Sequence, residues 1–170
     1  MSKDKRSAID LVKLLGGLPL AIKLAALMIK NERRVHVKFA EVLTELQNRE
    51  EILALEGSAD ESSSLRAILG MSYDRLPDKI HKRGFRWLAA FGSESFAWEA
   101  VEKLWKMKKP RARKIMSTLI NRALVESNEK TERFQLHAVL AKFAESLLEQ
   151  KREASRTYRA HSSTTTRDLR

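Results

Sequence analysis

Four histidines and no cysteine make up the whole stock of soft metal ligands and strong nucleophiles in this 170-residue chain. His36, His81, His137 and His161 are scattered, with few acids near them, so their spacing offers no metal site. The chain lacks G-x-x-x-x-G-K-S/T, G-x-S-x-G and H-E-x-x-H, the patterns that cradle a triphosphate, raise a nucleophilic serine or hold zinc. On its own residues it is not an enzyme. Three other arrangements could do chemistry. Gly16-Gly17-Leu18-Pro19 turns into an apolar run, so a rigid proline ring stands beside the amides at a helix start. His137 follows a strand pattern and precedes a helical one, where an imidazole can donate a proton to phosphate. Val101–Lys114, "VEKLWKMKKPRARK", sets seven Lys/Arg against one Glu.

The elements that must hold these groups are read from periodicity. Ser7 caps a helix over Ala8–Leu15, Gly16 and Gly17 stop it, and Pro19 opens a second over Leu20–Asn31. Lys38–Leu55 is a third, with Phe39, Val42, Leu43 and Leu46 inward. Gly57 ends it, and "GSADESSS" is a linker. Ser64 then caps a short helix closed by Pro77. Lys79–Phe91, Ala97–Met107 and Arg111–Arg122 follow, the last with Ile115, Met116, Leu119, Ile120 and Ala123 as one apolar stripe. "LVES" and "ERFQLH" around "NEKT" alternate with period two, which is a hairpin, and a final helix spans Ala138–Lys151. Three helices, a β-hairpin and a further helix is the winged-helix order. The chain is therefore mainly α. A helical subdomain covers 1–56, a linker 57–64, a winged-helix subdomain with one small hairpin 65–151, and a disordered basic tail 152–170.

Composition narrows the classes. The absence of cysteine suits a reducing cytoplasm, and few prolines and glycines suit a helical protein. The window Leu11–Ile29 approaches bilayer length, but Lys13 and Lys23 interrupt it and Pro19 splits it. No membrane span is expected. A formal charge of +11 points to anionic partners, with non-specific polyanion binding the first expectation.

Three stretches occur in an order that resembles the NB-ARC switch ATPases, a class of STAND signalling proteins that includes plant disease-resistance proteins and bacterial regulators. "GGLPLAIKLAA" resembles the family's Gly-Leu-Pro-Leu-Ala motif. "SLRAILGMSYDRLP" is similar to the segment that opens its winged helix, and "FRWLAAFGSESFAWEAVEKLW" and "MSTLINRALVE" to the helices that follow. "FQLHAVLAKFAESL" is similar to the Met-His-Asp region, with Leu136, His137 and Ala138 at those places. The resemblance covers roughly residues 7–150. It implies a nucleotide, ADP or ATP, held between these subdomains and the protein's own P-loop ATPase domain ahead of Met1. It places Pro19 on the base and His137 at the β-phosphate, with Gly17 and Leu18 also among the nucleotide-binding residues. A cytoplasmic role in signal transduction or defence is implied, with oligomerisation in the longer protein. Ala138 departs from the motif's Asp.

Two other functions remain open. Gly-Gly-Leu-Pro is also an ordinary helix joint, and His137 an ordinary helix cap. A DNA-binding winged helix would read bases with Arg111, Arg113, Lys114 and Asn121, alongside Ser117, Thr118 and Arg122. Lys106, Lys108 and Lys109 would then hold phosphates. The third function is a protein-interaction adaptor.

Overall fold

A computed structural model describes residues 3–32, 39–55 and 63–165 of the chain. It is mainly helical, with one two-stranded antiparallel hairpin. In order the helices are α1 (Lys3–Leu14), α2 (Pro19–Glu32), α3 (Phe39–Leu55), α4 (Ser63–Asp74), α5 (Lys79–Trp87), α6 (Trp98–Trp105), α7 (Lys109–Asn121) and α8 (Ala138–Thr165). Strands β1 (Glu126–Asn128) and β2 (Arg133–Gln135) lie between α7 and α8. This is the winged-helix order expected for the second half.

The first four helices form a bundle. Leu11 and Leu15, then Leu24, Met28 and Ile29, then Val42 and Leu46, then Ile68 and Met71 are buried at helical spacing. α4 packs on α2 and α3. Hydrogen bonds reinforce that docking: Ser64 Oγ donates to Glu50, and Arg75 forks onto Glu45 with Nη1 3.2 Å from Oε1. Arg49 reaches Glu45 at 3.3 Å and Asp74 at 3.0 Å. Sequence alone sets the boundary at 57–64, ahead of α4. The packing instead places α4 in the first bundle, and the chain passes between the halves at Arg75–Asp78. A linker composition does not reveal which neighbour the next helix joins. Residues 57–62 of that linker, His36, Lys38 and 166–170 lie outside the described residues.

The second half surrounds Phe85, Leu88, Val101, Trp105, Ile115 and Leu119, all buried, with Leu136 and Leu140 added by the hairpin and α8. A close approach of helices is marked by Gly84 of α5. A Cβ there would sit 3.1 Å from Ile115 Cγ2 and 3.3 Å from Trp105 Cζ2, and Trp105 Nε1 donates to the Gly84 carbonyl at 3.1 Å. Tyr73, Phe85 and Phe143 meet pairwise at 6.0–6.3 Å between ring centres and join α4 to α5 and α8.

Several boundaries differ from the sequence reading, each for a local reason. α1 begins at Lys3, so Ser7 lies within it; nothing in "KDKR" breaks a helix. Ser64 lies in the first turn of α4 and serves Glu50 rather than capping. The segment after Trp87 tightens into a 3-10 turn, Leu88–Phe91, ended by Gly92 at φ 56°. α6 stops at Trp105, because Lys106 turns left-handed at φ 50°. α8 does not end at Lys151 but runs to Thr165, since 151–160 contains neither Pro nor Gly; the tail expected to be disordered is helical that far. Trp87 and Trp98 are half-buried. Arg83 lies over the Trp87 ring at 5.0 Å, and Trp98 packs edge-on against Phe134 at 4.8 Å.

Candidate functional site

The Gly-Gly-Leu-Pro turn is a Schellman closure. Gly17 N–H donates to the Val12 carbonyl at 3.3 Å and Gly16 N–H to Lys13 at 3.0 Å, with both glycines at positive φ (68° and 60°). A side chain at Gly16 would meet nothing within 4 Å, so backbone conformation and not space requires glycine. The Leu18 carbonyl then accepts from Ile22 N–H at 3.0 Å, which makes Leu18 the N-cap and Pro19 the first residue of α2. Leucine has no polar atom to cap with, so the amides of Leu20 and Ala21 find no acceptor in the helix itself. The turn is exposed from Gly16 to Pro19. Among the described residues Ile9, Val12 and Leu18 are the exposed large apolar side chains, at 39%, 42% and 39% exposure, and Pro19 is exposed beside Leu18.

His137 is exposed and opens α8. Its carbonyl accepts from Ala141 N–H at 3.0 Å, and its ring Nδ1 lies 3.3 Å from the Val139 amide. An Nδ1 that accepts leaves the proton on Nε2, which points away from the cap as a donor. His137 is therefore a cap, and its second nitrogen remains open to a phosphate oxygen.

No hydrogen bond among the described residues joins the Gly17–Pro19 turn to His137 directly. What relates them is an ion pair: Lys23, one turn into α2, lies 3.2 Å from Glu126 of β1. In the hairpin register Glu126 faces Gln135, which precedes His137 by two residues. Further along α2, Asn31 Nδ2 donates to the Asn121 carbonyl at the end of α7, at 3.0 Å. α2 is thus tied to the second half at β1 and at the end of α7. Neither contact carries a sequence signal, because both join residues far apart in the chain. Two open grooves beside the hairpin, about 810 and 380 Å³, are lined by neither the turn nor His137.

The basic helix is placed differently. On α7, Ala112, Ile115, Met116 and Leu119 are buried, while Arg111, Arg113, Lys114, Ser117 and Asn121 are exposed, as the stripe required. Lys109 and Arg113 line the smaller groove with Trp98, and Glu129 and Glu132 of the hairpin line it too.

Two carboxyls have altered acidity. The Arg75 fork, helped by Arg49, holds Glu45 below the usual carboxylate range. His81, through its ring and its backbone amide, does the same for Asp78, the N-cap of α5. Both are structural. Among the described residues no group of three or more His, Asp or Glu could hold a metal, and no helix is long and apolar enough to cross a membrane.

No protein-family model, curated protein or solved structure matches this chain.

Proposed function

We propose that the chain is the nucleotide-sensing half of an NB-ARC-type molecular switch, acting in cytoplasmic signal transduction with a P-loop ATPase domain of its own. The observation that carries this reading is that both helix starts, Pro19 at α2 and His137 at α8, are exposed, and that α2 is tied by Lys23 to Glu126 of the hairpin that leads into α8. An exposed proline ring suits a flat apolar base. An Nε2–H donor and the adjoining positive helix end suit a diphosphate. The exposed Ile9, Val12 and Leu18 would give the P-loop domain apolar side chains to cover.

The nucleotide supplies the energy that distinguishes two states; this chain supplies the parts that respond to it. Because α4 docks on α2 and α3, motion at 57–62 would leave the two halves in contact. The joint is Arg75–Asp78, and a change of state would have to part Lys23–Glu126 and Asn31–Asn121 and shift the packing of Tyr73 on Phe85 and Phe143 beside the joint. The two polar contacts are exposed and worth about 1 kcal/mol or less each, so the aromatic packing sets most of the differential affinity the nucleotides must supply. The base-reading alternative gains no support from the hairpin, where Glu129 and Glu132 face the groove beside α7.

The reading requires G-x-x-x-x-G-K-S/T in frame ahead of Met1, and its absence from the gene would refute it. In the longer polypeptide, ADP affinity measured by calorimetry should fall at least tenfold in His137→Ala and in Pro19→Ala. His137→Asn should retain the cap, melting with the parent to within about 0.5 kcal/mol, yet lose ADP affinity as the alanine variant does. Affinity unchanged within twofold in both alanine variants refutes the assigned contacts.

A further inference from the structure

We propose that the turn between α6 and α7 docks on the phosphate backbone of duplex DNA, by charge and without reading bases. Lys106, Lys108, Lys109, Arg111, Arg113 and Lys114 are all exposed, and none makes an ion pair among the described residues. They cluster at the beginning of α7, where Lys108 caps without a side-chain hydrogen bond and Pro110 occupies the first turn. The positive end of a 13-residue helix therefore adds to their field. The left-handed Lys106 ends α6 and brings the two cationic segments into one turn.

The rest of the winged helix limits how a duplex can lie. On the hairpin the Arg133 guanidinium is engaged by Ser95, with Nε 2.9 Å from its Oγ and Nη2 2.6 Å from its carbonyl. Glu129 and Glu132 stand exposed beside Lys130, so the hairpin repels phosphate on balance. At the other end of α7, the Asn121 carbonyl is held by Asn31. The duplex is thus met by the first turns of α7 alone, too short a reach for a run of base contacts. A helix end fits the wide major groove of B-form DNA, about 12 Å across, whereas the A-form groove of duplex RNA is too narrow. An anionic bilayer offers charge only, because the open apolar side chains Ile9, Val12 and Leu18 belong to α1 and its turn, not to this patch.

The test is anisotropy of a labelled 20-base-pair DNA of arbitrary sequence with the whole chain. The logarithm of affinity should fall with the logarithm of salt at a slope near −4 to −5, as about five phosphates are neutralised. Lys108→Gln with Arg111→Gln should lower affinity at 50 mM salt by about tenfold or more and flatten the slope by about 2. Glu129→Gln with Glu132→Gln should raise affinity. All four sites are exposed, and melts matching the parent would show both variants folded. The proposal is overturned if the cationic double variant binds within twofold of the parent. It is also overturned by tighter binding to duplex RNA or to vesicles with 30% phosphatidylserine at equal phosphate. A thousandfold preference for one sequence at 150 mM salt would overturn it as well, by showing base readout.

Discussion

Replacing Gly84 by alanine tests the close approach of α5 to α6 and α7. Gly84 is helical, so alanine would ordinarily stabilise α5 by up to about 1 kcal/mol. Here the new methyl would sit 3.1 Å from Ile115 Cγ2 and 3.3 Å from Trp105 Cζ2. Neither neighbour is a loose end. Ile115 and Trp105 are each 2% exposed, and the indole is fixed by its hydrogen bond to the Gly84 carbonyl. Overpacking of this kind costs about 1–3 kcal/mol, so the net effect should be a loss of roughly 1 kcal/mol. Urea unfolding of four proteins decides it: parent, Gly84→Ala, Ile115→Ala and the pair. Ile115→Ala alone should cost about 2–5 kcal/mol. In the double variant the methyl enters the space that the isoleucine leaves, so the combined loss should fall short of the sum by about 1 kcal/mol or more. A stabilised Gly84→Ala, or losses that add within about 0.3 kcal/mol, would refute the close approach of α5 to α7.

Leu119 is fully buried on α7; Leu119→Ala should cost about 2–5 kcal/mol by thermal or urea melts, while the exposed Ser117→Ala stays within about 0.5. A matching pair of melts would put the apolar phase of α7 in error. The Arg75 fork holds Glu45 acidic when folded, so its stabilisation is present above the unfolded carboxyl range and is lost as pH falls through the lower folded value. Glu45→Gln should therefore be less stable than the parent by about 0.5–1 kcal/mol at pH 7, and the gap should narrow as pH falls below the ordinary carboxylate range. A gap that does not narrow down to the lowest pH at which both proteins stay folded would mean the fork contributes nothing through charge.

Patterns that depend on neighbours in sequence were legible. The two-glycine stop, Pro19 at the head of α2, the buried stripe of α7 and the hairpin around "NEKT" follow from backbone rules, and the structure places them as those rules require. Asn128 even supplies its own turn, its Oδ1 accepting from Lys130 and Thr131. Facts of tertiary docking were not legible. Nothing local reveals that Ser64 serves Glu50 rather than the helix start, or that α4 joins α2 and α3. The helix past Lys151 was missed because a Ser/Thr/Arg-rich composition was weighed above the absence of a breaker. At the candidate site, Pro19 and His137 stood out by type and position, whereas the Lys23–Glu126 pair that relates them has no sequence signature.

Phe96 and Phe134 exchange both backbone hydrogen bonds, each 2.8 Å, forming a bridge between the chain ahead of α6 and strand β2. Arg133 reinforces it by reaching Ser95, 38 positions back along the chain. All of α6 and α7 lies inside the loop so closed, and closing a flexible loop of that length costs roughly 3 kcal/mol in chain entropy. Two helices that have already formed and packed shorten the effective loop and remove most of that cost. The loop entropy therefore favours an order in which α6 and α7 assemble on α5 first and the hairpin zips onto Phe96 afterwards. Substitutions at Phe134 should then quicken unfolding while leaving the folding rate nearly alone, and those at Leu119 should slow folding.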